Sequence, residues 1–514
     1  MQFNYFEYMF FFIPGVIFIY FFICRKGFTA SAKWWLLACS IAFYAYLNVR
    51  YLPILLASIA VNYFASRMLA GERTGVSKKA VLTAGICFNV ALLGYFKYTD
   101  FFIKNINYLF SSNIPLLKIL FPLGISFYTF VQIAFLVESY RGQVTNRSFL
   151  DYSLLIAFFP KIIQGPISRF DELSPQLTDP KNMRVNYEHI ARGLFLVSIG
   201  LFKKLVLADN LGVWATQAFD HATVLNFFEA WFASLSYTLQ IYFDFCGYTD
   251  VAVGVALMFN IRLVHNFNTP YRALSLQDFW RRWHITLSTW LNKYLYTPMV
   301  INRRYWGRAG VILSLIVTFT ICGLWHGASW NYIAFGFIHG IGLSIDYLTQ
   351  KRRTRFERRL PTLIFSRSHA SRLQAAWGKH SVAAFRFFCW FITFNFVNAS
   401  FVIFRAADFK GAAKIFRGMA GLNGVMLPEK LKALGPTGAA WLSYGSWLAD
   451  LGEKQYYFIY LILAAGIAAL AGKNSMETSE KLKPSMGWAL LVSLLFGIGV
   501  IHTTQVTEFI YANF

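Results

Sequence analysis

Long apolar runs recur along almost the whole chain, and they constrain its fold more than any other feature. The first run, residues 3–24, is long enough to cross a hydrocarbon core about 30 Å thick. It lacks a basic leader and a small-residue cleavage site, so we expect a retained helix. Because backbone in lipid must satisfy its hydrogen bonds internally, such runs predict transmembrane helices.

Similar runs follow, and together they predict an all-α polytopic membrane protein with about eleven to thirteen membrane segments in one integral domain, residues 1–514. The further runs are 34–47, 52–68, 80–103, 115–137, 152–167, 190–207, 227–259, 309–325, 332–348, 383–404, 456–471 and 488–501.

The amino-acid composition argues against a soluble protein, a disordered chain and a nucleic-acid-binding protein. Only 14% of residues are charged, against about 25% in soluble domains, and 19% are aromatic, which excludes a disordered chain. The net charge is +24, but no basic tail or zinc-type cysteine spacing indicates a nucleic-acid partner. The six cysteines include no CxxC pair, so we interpret them as free thiols, with disulfides or metal ligation as the alternative, and we expect no metal.

Basic clusters predict the orientation. Arg25 and Lys26 follow the first run, a second cluster extends from Arg67 to Lys79, and residues 351–379 are strongly basic. Under the positive-inside rule these clusters lie in the cytoplasm and the N-terminus lies outside. The predicted loop 351–379 either sets orientation while touching anionic lipid or forms a partner site. Residues 406–454, interrupted by Gly and Pro, predict an interfacial or extramembrane segment.

Three regions place polar residues inside apolar runs, where they are costly and typical of functional sites. The first is 158–170, in which two prolines and a glycine break a run that also contains Gln164. Broken backbone at this depth must line a cavity or lie within protein. The segment is therefore a candidate funnel wall, or else an interfacial turn from which Lys161 and Arg169 reach water.

The second region, 244–304, begins with Asp244 and Asp250, continues to Asn266, and then predicts an amphipathic helix over 275–296. Ser275 is the expected N-cap, with Asp278 three residues later, and Pro298 is the expected end. The apolar face of this helix includes Trp280 and Trp283. Helical geometry places His284 at the edge of that face, as either a chemical residue or an interfacial hydrogen-bonding residue.

The third region ends the run 309–325 with His326 between small and aromatic residues, and His339 follows on another helical face. A neutral imidazole accepts a proton near physiological pH, so His326 is a candidate base. The alternative is a core histidine bound to a backbone carbonyl.

The motifs FWRRWH at 279–284 and GLWHGA at 323–328, with blocks between 120 and 410, closely resemble the membrane-bound O-acyltransferase family, in particular its bacterial alginate O-acetylase branch. Phe335, where Trp is usual, and Lys161 with Gln164 depart from the pattern. The resemblance implies a ring of tilted helices and re-entrant segments around a central channel. His326 matches the active-site histidine of the family. His284 matches a motif position where related branches carry Asn, which makes it the expected supporting catalytic residue.

The resemblance also implies an activity. Acetyl coenzyme A would be the donor, no cofactor would be required, and an exported polysaccharide of the alginate, peptidoglycan or cellulose type would be acetylated through a periplasmic serine-esterase-like partner. The membrane would be the bacterial inner membrane. Basic side chains near the FWRRWH helix either attract coenzyme A phosphates or set orientation; they are Arg281, Arg282, Lys293, Arg303 and Arg304. Channel or substrate-binding candidates are Gln164, Asp244, Asp250, Asn266, Trp280, Trp283, Trp325 and His339.

Two other classes of function fit parts of the sequence. A transporter or flippase for a lipid-linked intermediate also has broken helices and intramembrane histidines. A non-catalytic scaffold of a polysaccharide-secretion complex would need neither motif histidine. The absence of an internal repeat and the presence of both histidines favour the acyltransferase.

Overall fold

The architecture comes from a computed structural model of the chain. It describes residues 6–71, 76–144, 148–363, 372–429, 432, 442–445, 447, 454–483 and 485–504. Two of the basic residues that predict the orientation in the membrane, Arg73 and Arg367, lie outside the described residues.

The described chain is almost entirely helical. The α-helices are α1 Ile13–Arg25, α2 Thr29–Leu47, α3 Leu52–Ala70, α4 Lys78–Leu93, α5 Thr99–Phe110, α6 Ile125–Tyr140, α7 Phe149–Ala157, α8 Phe170–Thr178, α9 Tyr187–Leu201, α10 Asp209–Thr216, α11 Phe227–Met258, α12 Leu276–Arg282, α13 Ile285–Leu291, α14 Thr297–Asn302, α15 Gly307–His326, α16 Trp330–Leu363, α17 Arg372–Arg405, α18 Phe409–Met419, α19 Lys454–Ala471, α20 Ser475–Glu480 and α21 Met486–Ile501. Strands β1 Val425–Pro428 and β2 Leu442–Gly445 pair in parallel.

Six helical stretches in the described part are long and apolar enough to cross a membrane: Tyr8–Arg25, Val49–Ala70, Lys78–Phe110, Phe227–Met258, Arg304–His326 and Lys379–Arg405. Shorter apolar helices are Ile125–Tyr140, Tyr456–Ala471 and Met486–Ile501. The all-α polytopic membrane class is therefore confirmed. The total of eleven to thirteen segments stays a prediction.

The chain divides into two compact units. The first unit contains Met1–Asp209, Tyr242–Asn266 and Lys473–Phe514, and the second contains Asn210–Ile241 and Phe267–Gly472. In the first unit, buried amides join neighbouring helices: Asn62 and Asn89 donate to each other, at 3.2 and 2.6 Å. Interhelical hydrogen bonds of this kind replace the hydrophobic force that lipid cannot supply.

In the second unit, α15 and α16 approach closely because glycines face each other. A Cβ on Gly323 would lie 2.1 Å from the Tyr332 carbonyl oxygen, and one on Gly336 would lie 2.1 Å from the Phe319 carbonyl oxygen. Small residues at such contacts let helix backbones pack at short range. This contact fixes the end of α15, which carries His326, against the start of α16.

Two of the expected segments need correction. The run 115–137 is helical only from Ile125, because the chain before it is irregular and Gly124 turns at φ 73°. The segment 351–379, expected as a loop, continues α16 and α17 as helix in its described residues. Its Lys, Arg and Gln residues are good helix formers, and only Pro361 interrupts them before residue 364. The segment 406–454 includes α18 and the strand pair, and its interfacial or extramembrane location stays a prediction.

The predicted break near residue 160 is confirmed. Helix α7 ends at Ala157, and the chain has no regular helix until α8 begins at Phe170. Lys161 is 4% exposed and its ammonium donates to the Leu155 carbonyl at 2.5 Å, so it does not reach solvent as the interfacial alternative required. Whether the segment lines a funnel stays a prediction.

Candidate functional site

The FWRRWH segment starts as the sequence predicts. Ser275 Oγ accepts a hydrogen bond from the Asp278 N–H at 3.2 Å, and the Asp278 carboxylate accepts from the Leu274 N–H at 3.3 Å. The Gln277 N–H donates to Asp346 on α16 at 3.0 Å. The acceptors on Ser275 and Asp346 satisfy N–H groups that the first helical turn leaves free, which confirms the predicted N-terminus.

The predicted continuous helix over 275–296 is wrong, because the chain breaks at Trp283 and His284. Trp283 is extended, and His284 is left-handed at φ 43° and ψ 55°. The Trp283 ring packs against Phe279 and Phe401, with centroids 5.6 and 5.3 Å away. We attribute the break to this packing, since a left-handed residue other than glycine costs roughly 1–3 kcal/mol.

The break moves His284 from the expected edge of an amphipathic face into the protein, where it is 0% exposed. Burial lowers the pKa of His284 to about 3, so its imidazole is neutral at physiological pH.

Pro298 does not end the segment either. A π-helical turn, Asn292–Tyr296, leads into α14, which has Pro298 in its first turn, where proline is tolerated.

His326 is the last residue of α15 and is 3% exposed. The next residue, Gly327, is extended, and a Cβ there would lie 2.1 Å from the Tyr332 ring. The imidazole lies among aromatic rings, with centroids 5.3 Å from Phe404 and 6.2 Å from Phe335. Such a site excludes water while leaving the imidazole at the end of a helix.

The structure brings the two motif histidines to the same indole. The Trp325 ring centroid is 5.0 Å from that of His326 and 6.2 Å from that of His284. Trp325, His326 and His284 therefore form one buried group, which we call the histidine cluster.

His339, another candidate, has both ring nitrogens bonded to protein. The Trp280 indole N–H donates to His339 Nδ1 at 3.2 Å, and Nε2 lies 2.9 Å from Ser400 Oγ. An indole N–H only donates, so Nδ1 accepts and the neutral ring carries its proton on Nε2. Ser400 in turn donates to the Val397 carbonyl at 2.7 Å. These hydrogen bonds orient the side chains of His339 and Trp280. They leave neither ring nitrogen of His339 for a substrate.

The basic candidates differ in their surroundings. Arg281 lines a cavity of about 470 Å³ between α12, α13, α15 and α16, together with Trp280 and Thr318. Arg282 pairs with Asp278 at 2.7 Å. The others lie over aromatic rings of their own segments: Lys293 over Tyr294, Arg303 over Trp306 and Arg304 over Tyr305.

The candidate carboxylates lie in the first unit, and both are ion-paired. Asp244 is 2.6 Å from the Lys204 ammonium. Asp250 is 2.6 Å from Lys203 and 2.9 Å from His265. The sequence interpretation missed both lysines, although two consecutive charges inside the run 190–207 were a signal that could have identified them.

Gln164 and Asn266 are also in the first unit and are buried. The Gln164 backbone N–H donates to the Tyr248 hydroxyl at 3.3 Å, whereas its side-chain amide has no hydrogen-bond partner among the described residues. Buried amides without partners are rare in proteins, so this one is available to a ligand or water.

No group of three or more His, Cys, Asp or Glu side chains suited to a metal ion occurs in the described part of the chain. The cysteines are free thiols.

Comparison with known proteins places this chain in a family. Residues 105–369 match the profile of MBOAT, the membrane-bound O-acyltransferase family. The chain is 43% identical over 420 residues to a peptidoglycan O-acetyltransferase of Helicobacter pylori, covering 77% of this chain and 75% of that protein. It is 33% identical over 449 residues to "Probable alginate O-acetylase AlgI" of Azotobacter vinelandii, covering 85% and 79%. A teichoic acid D-alanyltransferase of Streptococcus thermophilus is 28% identical over 294 residues, covering 55% and 68%.

Proposed function

Because this chain belongs to the membrane-bound O-acyltransferase family, we propose that it transfers an acetyl group from acetyl coenzyme A toward an exported polysaccharide. That it is a multi-pass membrane acyltransferase follows from the family and its named relatives. The donor, the acyl group and the acceptor are our proposal. The observation that carries it is the histidine cluster, which joins the two motif histidines through Trp325.

His326 is the proposed base. As the acceptor hydroxyl attacks the thioester carbonyl, His326 removes the hydroxyl proton, because an alcohol is a poor nucleophile while it keeps that proton. The new ester C–O bond forms, the C–S bond breaks, and the proton passes from His326 to the departing coenzyme A thiolate. The products are the acetyl ester and coenzyme A, so no metal or redox group is required. The rings of Phe335 and Phe404 support the step by excluding water from the thioester.

His284 is the proposed positioning residue. Its backbone is left-handed, and its ring contacts the Trp325 indole, which also contacts the ring of His326. A fixed indole restricts the orientation of the neighbouring His326 ring, and catalytic geometry is sensitive to displacements of about 1 Å. His284 thus acts through Trp325.

The cavity beside the FWRRWH segment is the proposed donor entrance. Its walls combine apolar side chains such as Phe319 with polar groups, and Thr318 Oγ1 has no hydrogen-bond partner among the described residues. Arg281 supplies a positive charge to the same cavity, and guanidinium groups bind phosphate well. Among the basic candidates, Arg281 is therefore the proposed contact to coenzyme A phosphate.

The proposed acceptor is peptidoglycan or a similar cell-envelope polymer. The relative at 43% identity carries the name of peptidoglycan acetylation, and the relative at 33% that of alginate acetylation, which makes peptidoglycan the first polymer to test. A polymer outside the membrane needs a carrier for the acetyl group, for which we propose a periplasmic partner of the serine-esterase type.

The proposed location is the bacterial inner membrane with the N-terminus outside. Single cysteines at Asn48 and Ser368, in a background lacking the native cysteines, test the orientation with an impermeant thiol reagent on intact cells. Ser368 lies outside the described residues. Labelling at 48 alone supports transfer outward from a cytoplasmic donor, and labelling at 368 alone contradicts it.

The acyl-transfer test uses inside-out membrane vesicles given acetyl-labelled acetyl coenzyme A, with the partner and the polymer fragment on the lumenal side. The proposal predicts covalent label on the fragment and release of coenzyme A outside. A transporter would move label without forming an ester, and a scaffold would leave the donor intact. Either result would overturn the proposal.

A further inference from the structure

A groove in the first unit lies along α1 and is separate from the histidine cluster. It has a volume of about 900 Å³, within the range of ordinary ligand sites. Its lining is mostly apolar, and two of its aromatic walls, Phe18 and Phe22, are 73% and 53% exposed. Pro14, Arg25, Met183, Arg184 and Val185 also line it.

The length of the groove matches one membrane leaflet. It extends along α1 from Arg25 to Pro14, which corresponds to roughly 16 Å at 1.5 Å per residue. Half of a hydrocarbon core is about 15 Å. A ligand with its polar end beside Arg25 would therefore keep its apolar part within a single leaflet.

Two arginines supply the polar end of the groove. Arg25 and Arg184 both line it, and neither forms an ion pair within the described residues. No acidic residue lines the groove in this part of the chain. Arg25 occupies the last turn of α1, where the free carbonyl groups carry partial negative charge, so an anion there depends on the two guanidinium groups.

The wall opposite α1 is built by specific contacts. The Tyr20 hydroxyl and the Cys24 thiol both approach Met183 Sδ, at 3.5 and 3.7 Å. The Asn260 side-chain amide donates to the Arg184 carbonyl at 2.7 Å and is itself bonded to His189. The backbone that presents Arg184 is therefore fixed next to the end of α1, and the groove is part of the folded unit.

We propose that this groove binds one anionic diacyl phospholipid, with its phosphate between Arg25 and Arg184 and its acyl chains along Phe18 and Phe22. Basic pockets beside transmembrane helices recognise anionic headgroups in this way. Free phosphate would leave the apolar length of the groove uncovered. Zwitterionic phosphatidylcholine would bring its cationic choline beside the two guanidinium groups, whereas an anionic lipid brings no positive charge there. The site does not depend on the proposed acyl transfer.

The test measures lipid binding to the purified full chain in neutral detergent, by native mass spectrometry and by thermal stability. The probes are dioleoyl phosphatidylglycerol, dioleoyl phosphatidylcholine and inorganic phosphate. The variants are R25Q/R184Q, which removes both charges, and V185W, which fills the groove without changing charge. The matched control is R50Q/R67Q, which removes two exposed arginines that do not line the groove.

We expect one phosphatidylglycerol per chain to be retained and to raise the melting temperature. Loss of both charges should weaken its binding about thirtyfold, since each basic group near an anionic headgroup changes affinity roughly fivefold. V185W should also bind less, while R50Q/R67Q should bind as the wild type does. Equal binding of phosphatidylcholine, equal stabilisation by phosphate, or wild-type affinity in R25Q/R184Q would overturn the proposal.

Discussion

The indole of Trp325 packs against the imidazole of His284, with ring centroids 6.2 Å apart. This contact links the break in the FWRRWH segment to the end of α15, where His326 is the next residue. The left-handed turn at His284 is thus part of the site and not a local irregularity. Strained backbone is typical of functional sites, where surrounding packing maintains it.

Substitutions at His284 separate its side chain from its backbone. H284N should retain more acyl transfer than H284L, because Asn keeps hydrogen-bonding capacity and tolerates a left-handed backbone. H284G is the matched control, since glycine accepts the turn but has no side chain. Acetylated polymer is measured per unit of membrane protein. If H284G and H284N are active to the same extent, the side chain has no positioning role. If all three variants are equally inactive, His284 itself transfers the proton.

Acid should destabilise the protein in part through His284. Its pKa is lowered by burial to about 3, whereas an unfolded histidine titrates near 6.5. Between these values only the unfolded state binds the proton, so stability is fully present above about pH 6.5 and falls as pH decreases. The melting temperature in detergent should drop less between pH 7.5 and 5 in H284N than in the wild type. Equal drops in both proteins would contradict the buried neutral imidazole.

The bond from Trp280 to His339 should matter for stability more than for chemistry. W280F leaves the buried Nδ1 of His339 without its donor, which costs about 1–3 kcal/mol. We expect a lower melting temperature, with kcat per folded molecule within a few-fold of wild type. The KM for the donor should rise, because Trp280 also lines the proposed donor entrance. W488F is the control, because the Trp488 indole donates no hydrogen bond to described residues. A large loss of kcat in W280F without loss of stability would instead place His339 in the reaction.

The sequence was sufficient for features that depend on local pattern or on motif. Apolar run length predicted the membrane class, two prolines and a glycine predicted the break after Ala157, and Ser275 with Asp278 predicted a helix start. The break at His284 was not predictable, because it depends on packing of Trp283 against Phe401, which is distant in the chain.

The charged residues show the same limit of prediction from sequence. Lys203 and Lys204 stood out only as charges within an apolar run, and their pairing with Asp250 and Asp244 required the packing of α11. Basic residues 351–363 were interpreted by charge alone, although their composition also favours helix. Charge predicts where a residue is tolerated, but its partner is determined by tertiary structure.

The glycine contact between α15 and α16 gives a test of how the site is supported. G336A places a Cβ 2.1 Å from the Phe319 carbonyl, so the helices must separate, at a cost of about 1–3 kcal/mol or more. Both melting temperature and activity should fall, because the displaced helix carries His326. G466A is the matched control, since a Cβ there meets nothing within 4 Å and Ala favours helix. Wild-type behaviour of G336A would show that the close contact is not needed.

If His326 is the base for acyl transfer, H326A must abolish polymer O-acetylation, which is measured in a deletion strain complemented with this variant. The control is H221A, which replaces an exposed histidine outside the histidine cluster. Membrane levels of both variants must match the wild type. We expect acetylation at the level of the deletion strain for H326A and at the wild-type level for H221A. Acetylation by H326A within a few-fold of the wild type would contradict it.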